Sequence, residues 1–410
     1  MIELILVLIG TLLGSLFGLL PGSHINNILP FLLTLSALFT PLQLSLFIVS
    51  LAISQLFTSF LPSIFLGAPE SETALSVLPG HRLLLEGKGY EAIKLVIIGA
   101  LGSLLTTLLL IFVFAPTFQQ IYEISRPYIH YLILGFIVFM MLSERKLKRI
   151  LWSFVIILLS GFFGIIVLNT PLVSQQIVLF PTLTGMFGLS TILISLNERS
   201  KIPDQKKDQR IRASKKDIII SIFLGAVAGI IVGFLPAIGV SQAATIVQYI
   251  SGIGESRNFL VTLGGINLGN EIFSLISLYL VNNPRSGASV AIQRIMGELE
   301  LNDVLLFIGA ICLSAGISSI ITLLLGKKIP RYLVKIKYKM LCYLTIFYLI
   351  CVVFLFTGIF GLLILFTSTS IGVLAAKTGI RRSNCMGVLL IPSLLFFSKL
   401  NPFIYSILGI

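Results

Sequence analysis

Three glycines spaced four residues apart, closed by a Leu and a Pro, occur twice in this chain of 410 residues. Gly10, Gly14, Gly18, Leu20 and Pro21 return as Gly225, Gly229, Gly233, Leu235 and Pro236, each displaced by 215 positions (225 minus 10). Pro69 and Pro284 keep the same offset (284 minus 69). A repeat slightly under half the chain is far too long for a solenoid unit, so the chain reads as one ancestral unit duplicated across a linker. Glycines at i, i+4 and i+8 make one smooth helix face, and Gly10, Gly14, Gly225 and Gly229 are therefore read as packing residues.

The solvent for this duplicated unit follows from composition. With 56% hydrophobic residues, 11% charged residues and a mean hydropathy of +1.05, the chain cannot cover a water-facing surface with polar groups. Continuous apolar runs such as 95–114, 151–168 and 341–356 approach the length of a membrane-crossing helix and lack the alternation of a β-barrel. The expected fold is all-α and integral to the membrane, with roughly 10–12 membrane segments. Residues 4–20 lack a basic flank and a cleavage site, and are expected to stay in the mature protein. Cys312, Cys342, Cys351 and Cys385 stand singly in apolar surroundings and read as small hydrophobes.

Most of the net charge of +13 falls in short basic clusters at 145–149, 199–216, 327–339 and 377–382, the pattern of cytoplasmic loops. Four spans read near 93–114, 128–143, 150–168 and 175–197 lead back from the basic linker to a cytoplasmic Pro69 loop. Four more, near 303–325, 341–358, 359–376 and 386–409, place the Pro284 loop outside. The predicted organisation is a membrane repeat over 1–197, a cytoplasmic linker over 198–217 and a second, inverted repeat over 218–410, with both termini outside.

Breaks in apolar runs mark the candidate chemistry. Pro21, Gly22, Ser23, His24, Asn26 and Asn27 interrupt one run, and Pro236, Gly239, Ser241 and Gln242 interrupt its counterpart. Such breaks expose backbone N–H groups at a positive helix end, suited to a carboxylate, although capping of a local kink is the alternative. In the second pair of loops, Glu70, Ser71, Glu72 and Thr73 are candidates for ion coupling, with helix capping as the alternative. Asn283, Pro284, Arg285 and Ser286 are candidates for binding the anion, with interfacial snorkelling as the alternative for Arg285. No hydrolase, P-loop or metalloprotease motif is present, so an enzyme is not expected and uphill transport requires an ion gradient or a partner.

These residues resemble the TctA-type large membrane subunit of tripartite tricarboxylate transporters, in a shorter, archaeal-like form. The likeness rests on Gly14-x-x-x-Gly18-Leu-Leu-Pro21-Gly22, on Gly67-Ala-Pro69 through Pro79-Gly80-His-Arg82, and on Glu86-Gly87-Lys88-Gly89-Tyr90-Glu91-Ala92. The family usually places glycine after the proline at four such sites, and this chain keeps it after Pro21 but has Glu70, Ala237 and Arg285 after Pro69, Pro236 and Pro284. The resemblance implies an extracytoplasmic binding protein and a small membrane subunit as partners. The expected function is a permease, a symporter moving a di- or tricarboxylate with H+ or Na+ across the plasma membrane. A translocase of an anionic lipid such as polyprenyl phosphate is the alternative. The other expected partner is the bilayer, with a homodimer left open; no nucleic acid and no cofactor beyond the coupling ion are expected.

Overall fold

The computed structural model describes residues 1–20, 38–66, 73, 77–174, 177–197, 203–206, 210–234, 239–251, 256–282, 284, 286–333 and 338–402. Among these the regular structure is helical, without strands. In the first half run α1 (Ile2–Phe17), α2 (Pro41–Leu66), α3 (Val77–Leu85), α4 (Gly89–Ser125), α5 (Ile129–Leu142) and α6 (Leu147–Asn169). They are followed by α7, which joins Leu179–Leu183, a π-helical turn Thr184–Leu189, and Ser190–Asn197. The second half comprises α8 (Lys215–Phe234), α9 (Val240–Ser251), α10 (Ser256–Val281), α11 (Gly287–Met296), α12 (Leu301–Leu333) and α13 (Tyr338–Lys377). A 3-10 turn, Arg382–Met386, then leads into α14 (Gly387–Phe397).

Seven helices are long and apolar enough to cross a membrane, and four shorter apolar helices accompany them among the described residues. The long α13 is interrupted at Gly358, whose φ of 64° is a conformation that side chains with a Cβ rarely adopt. Two consecutive spans, 341–358 and 359–376, are therefore a fair sequence reading of this one element. The expected span at 386–409 appears as α14, with residues 403–410 outside the described set.

Helices α2 and α10 form the centre. Their apolar windows are 100% and 94% buried, whereas α4, α12 and α13 present Phe112, Leu109, Leu305, Phe347 and Leu355 outward, as a lipid-facing surface does. The glycine ladders make the central packing close. A methyl at Gly14 would come within 2.2 Å of Leu51 O, and one at Gly229 within 2.9 Å of Ile266 O. Gly10, Gly14 and Gly18 meet the carbonyls of Phe47, Leu51 and Gln55, while Gly225, Gly229 and Gly233 meet those of Thr262, Ile266 and Asn270. Every carbonyl of the second set is again 215 positions after its counterpart (262 minus 47). The duplication therefore extends from sequence into helix register.

Because both series rise together, α1 runs parallel to α2, and α8 runs parallel to α10. Gln43 Nε2 donates to Glu3 Oε1 at 3.2 Å, which places the start of α2 beside the start of α1. Across the halves, α4 and α10 also run parallel: Gly99 meets Val261 O, Ser103 Oγ meets Gly265, and Thr107 Oγ1 meets Gly269. α4 starts where α2 ends, since Gly89 abuts Phe65 and Gly80 of α3 abuts Ile64. α10 starts there too, through a 2.8 Å ion pair from Arg257 Nε to Glu91 Oε1. α2 therefore ends on the face where α10 begins. The described linker residues lie on this face: Lys206 N donates to Gly87 O at 2.9 Å, Gly89 N to Gln205 Oε1 at 3.0 Å, and Arg212 N to Glu91 Oε1 at 3.1 Å.

Candidate functional site: the second-half proline break

Of the residues singled out in the sequence, Pro21, Gly22, Ser23, His24, Asn26, Asn27, Glu70, Ser71, Glu72, Pro236, Asn283 and Arg285 lie outside the described residues. Thr73 is buried and its carbonyl accepts from Ser63 Oγ of α2 at 3.1 Å. Gly239 O accepts from Ala243 N at 3.1 Å and so opens α9, with Ser241 buried in the first turn and Gln242 beside it in the helix.

Pro284 and Ser286 sit between α10 and α11, where the polar contacts converge. Proline cannot continue the helix behind it, and Ser286 restarts the chain as an N-cap. Its Oγ accepts from Ser289 N at 3.1 Å and its N–H donates to Ser289 Oγ at 2.9 Å, a reciprocal capping box. The same N–H also donates to Ser274 Oγ at 2.6 Å, and Ser274 and Ser289 hydroxyls are 3.1 Å apart. Ser286 Oγ donates to Glu271 Oε1 at 2.9 Å. Ser286 is thus engaged with a carboxylate and a helix start.

Glu271 is 7% exposed and lies 15 residues into α10 (271 minus 256), about 22 Å from the face where that helix begins. One helical turn earlier, Asn267 is fully buried, and neither Oδ1 nor Nδ2 has a hydrogen-bond partner among the described residues. Leaving an amide in that state costs about 1–3 kcal/mol, so such a group calls for a partner such as a bound water or ion. Asn267, Glu271 and Ser274, at i, i+4 and i+7, share one helix face, while Gly265 and Gly269 turn to α4 and α8. Carboxylate, hydroxyl and amide oxygens thus share this face.

Residues 4–387 match the tripartite tricarboxylate transporter TctA family. The chain belongs to that family. A second comparison agrees in extent: an uncharacterized protein of Methanocaldococcus jannaschii is 32% identical over 413 residues, covering 97% of this chain and 100% of the relative. An uncharacterized 52.8 kDa protein of Agrobacterium vitis is 23% identical over 253 residues, 58% of this chain and 50% of that protein. No solved structure matches. As a TctA-family member with seven membrane-length helices, the chain is a multi-pass membrane component of a tripartite transport system, and its family is one of transporters rather than enzymes.

Sequence reasoning passed over Glu271 and Asn267. The signal was present: Glu271 is the one carboxylate within the 26-residue apolar helix α10, and an ionisable group at that depth is by default a candidate for function. The repeat diverted attention, because the corresponding position in the first half is Leu56 (271 minus 215).

Proposed function

We propose that this chain is the permease of a secondary transport system for an organic anion, a di- or tricarboxylate, driven by H+ or Na+ coupled at Glu271. The buried carboxylate hydrogen-bonded to Ser286 at the second-half proline break carries this reading. A membrane-buried glutamate is costly when ionised and uncompensated, so its charge state is expected to follow the coupling ion. Glu70, Ser71, Glu72 and Thr73 remain candidates for the first-half counterpart of this site.

Alternating access is assigned to two halves of inverted topology. Supporting this, α10 begins at the face where its counterpart α2 ends, and Met1 lies at the opposite end from the linker contacts. With the basic linker on the cytoplasmic side of the plasma membrane, both termini face outward. The substrate contacts are assigned to Pro21, Gly22, Ser23, His24, Asn26 and Asn27 of the first break, to Pro236, Gly239, Ser241 and Gln242 of its counterpart, and to Asn283, Pro284, Arg285 and Ser286. The binding protein and small membrane subunit of tripartite systems are the proposed partners. The family match favours a carboxylate over a lipid-linked phosphate.

Counterflow exchange in proteoliposomes, with labelled citrate, succinate and acetate under imposed sodium or pH gradients, tests the reading. Exchange of a di- or tricarboxylate, accelerated by one of the two gradients, is the expected result. Indifference to all three anions and both gradients would remove it.

A further inference from the structure

The second charge of interest is Arg382, partly buried in the 3-10 turn before α14. Its Nη1 donates to Phe187 O at 3.4 Å, to Ser190 Oγ at 3.3 Å and to Thr191 Oγ1. All three acceptors are neutral and belong to α7, two of them in or beside its π-helical turn. Nε and Nη2 make no hydrogen bond, and the guanidinium has no ion pair, among the described residues. The nearby carboxylate is committed elsewhere: Glu144 Oε1 accepts from Arg381 N at 2.9 Å and from Asn384 Nδ2 at 3.0 Å. Arg257, by contrast, has its partner in Glu91.

A partly buried guanidinium held by one nitrogen, with its Nε–Nη2 edge unpaired among the described residues, presents the two parallel N–H donors that a carboxylate accepts as a fork. An anion at that edge would supply the counter-charge that the neutral α7 acceptors do not. Two further polar atoms lack a partner among the described residues: Thr184 Oγ1, in the π turn itself, and Asn384 Oδ1, two residues from Arg382. π-helical turns in otherwise regular helices recur at functional sites. The location fits as well. Ile246 of α9, the helix that follows the Pro236 break, packs against the cluster containing Phe187, Cys385 and Met386.

We propose that the Nε–Nη2 edge of Arg382 binds one carboxylate group of the transported anion, making Arg382 a fixed positive charge of the permeation path. This deepens the transport reading above and rests on it for the identity of the ligand. The sequence hid the residue among the basic cluster at 377–382, which as a whole reads as cytoplasmic-loop charge.

The test is calorimetric titration of the purified full chain, in detergent with neutral lipid, with citrate and with succinate. Arg382→Gln is expected to weaken binding by about 10- to 150-fold, the range for loss of a charged hydrogen bond. Arg382→Lys keeps the charge without the fork and is expected to weaken it by about tenfold, which serves should the Gln variant fail to fold. Wild-type affinity in either folded variant, or a wild-type protein that binds neither anion, overturns the assignment. So does a phosphatidylglycerol-dependent thermal shift that Arg382→Gln abolishes while citrate affinity stays unchanged, since the edge would then hold a lipid headgroup. A wild-type chain that binds citrate through Arg382 yet shows no counterflow would overturn the transport reading and leave the anchor standing.

Discussion

Helices α2 and α10 have the same length of 26 residues, begin 215 positions apart (256 minus 41), and each hold a glycine-faced helix at equivalent carbonyls, but their polar side chains are used differently. In α2 four hydroxyls turn back on their own helix, Ser50 to Phe47 O at 2.9 Å, Ser54 to Ser50 O at 2.7 Å, Thr58 to Ser54 O at 3.2 Å and Ser59 to Leu56 O at 3.0 Å, while Ser63 reaches Thr73 O at 3.1 Å. In α10 the polar face carries Glu271 and an unpartnered Asn267, and Ser274 reaches out to the next helix start. The two helices thus share a frame that depends on small residues and backbone contact. Glu271, set against a helix start in α10, has Leu56 at the equivalent position of α2.

The largest effect is expected where the asymmetry bears on stability. Glu91 is 1% exposed and paired with Arg257, whereas its counterpart Leu306 (91 plus 215) is 48% exposed. Glu91→Gln should lower unfolding stability by about 3–5 kcal/mol by leaving a largely buried cation unpaired. Leu306→Gln, on the outer surface, serves as the comparison in the same denaturant titration and should cost less. Equal losses would mean that the Glu91 contact does not join the halves as described.

Next comes the coupling site. Glu271→Gln should reduce gradient-stimulated uptake by about 10- to 150-fold while leaving counterflow exchange measurable, whereas Leu56→Met should leave both intact. Adding Asn267→Leu should weaken the dependence on the coupling cation and raise thermal stability, because an orphaned amide is removed. Gradient-driven uptake unaltered in Glu271→Gln would move coupling away from α10, to Glu70 or Glu72.

A smaller difference separates the two glycine ladders. A Cβ at Gly14 would lie 2.2 Å from Leu51 O, while one at Gly229 meets nothing nearer than 2.9 Å. Gly14→Ala is therefore expected to destabilise by about 1–3 kcal/mol and Gly229→Ala by less, read from thermal unfolding of the purified chain. The reverse order would show that the first-half pair has more room to shift than its register implies.

The helical runs, the ladder and its partner-facing role were legible because each rests on a local property: apolar length, or the absence of a side chain at regular spacing. The candidate site was legible only in part. Proline breaks pointed to the Pro284 loop, and Ser286 does lie in a polar cluster there. Glu271 and Arg382 did not stand out, because a glutamate in a helix and an arginine in a basic run look alike whether they face solvent, lipid or protein. Their meaning depends on burial and on partners more than ten positions away, such as Phe187 for Arg382.

The sequence by itself determined that this chain lives in a membrane, that one glycine ladder occurs twice at a 215-residue offset, and that helices meet at those glycines. Hydropathy and steric size are properties of residues, and they act wherever the chain goes. Only the tertiary structure decided that α10 starts where α2 ends, that Ser286 donates to Glu271, and that Arg382 reaches Phe187 O of α7. Directions, pairings and desolvation arise between segments distant along the chain, and a buried charge acquires its energy from the groups packed around it.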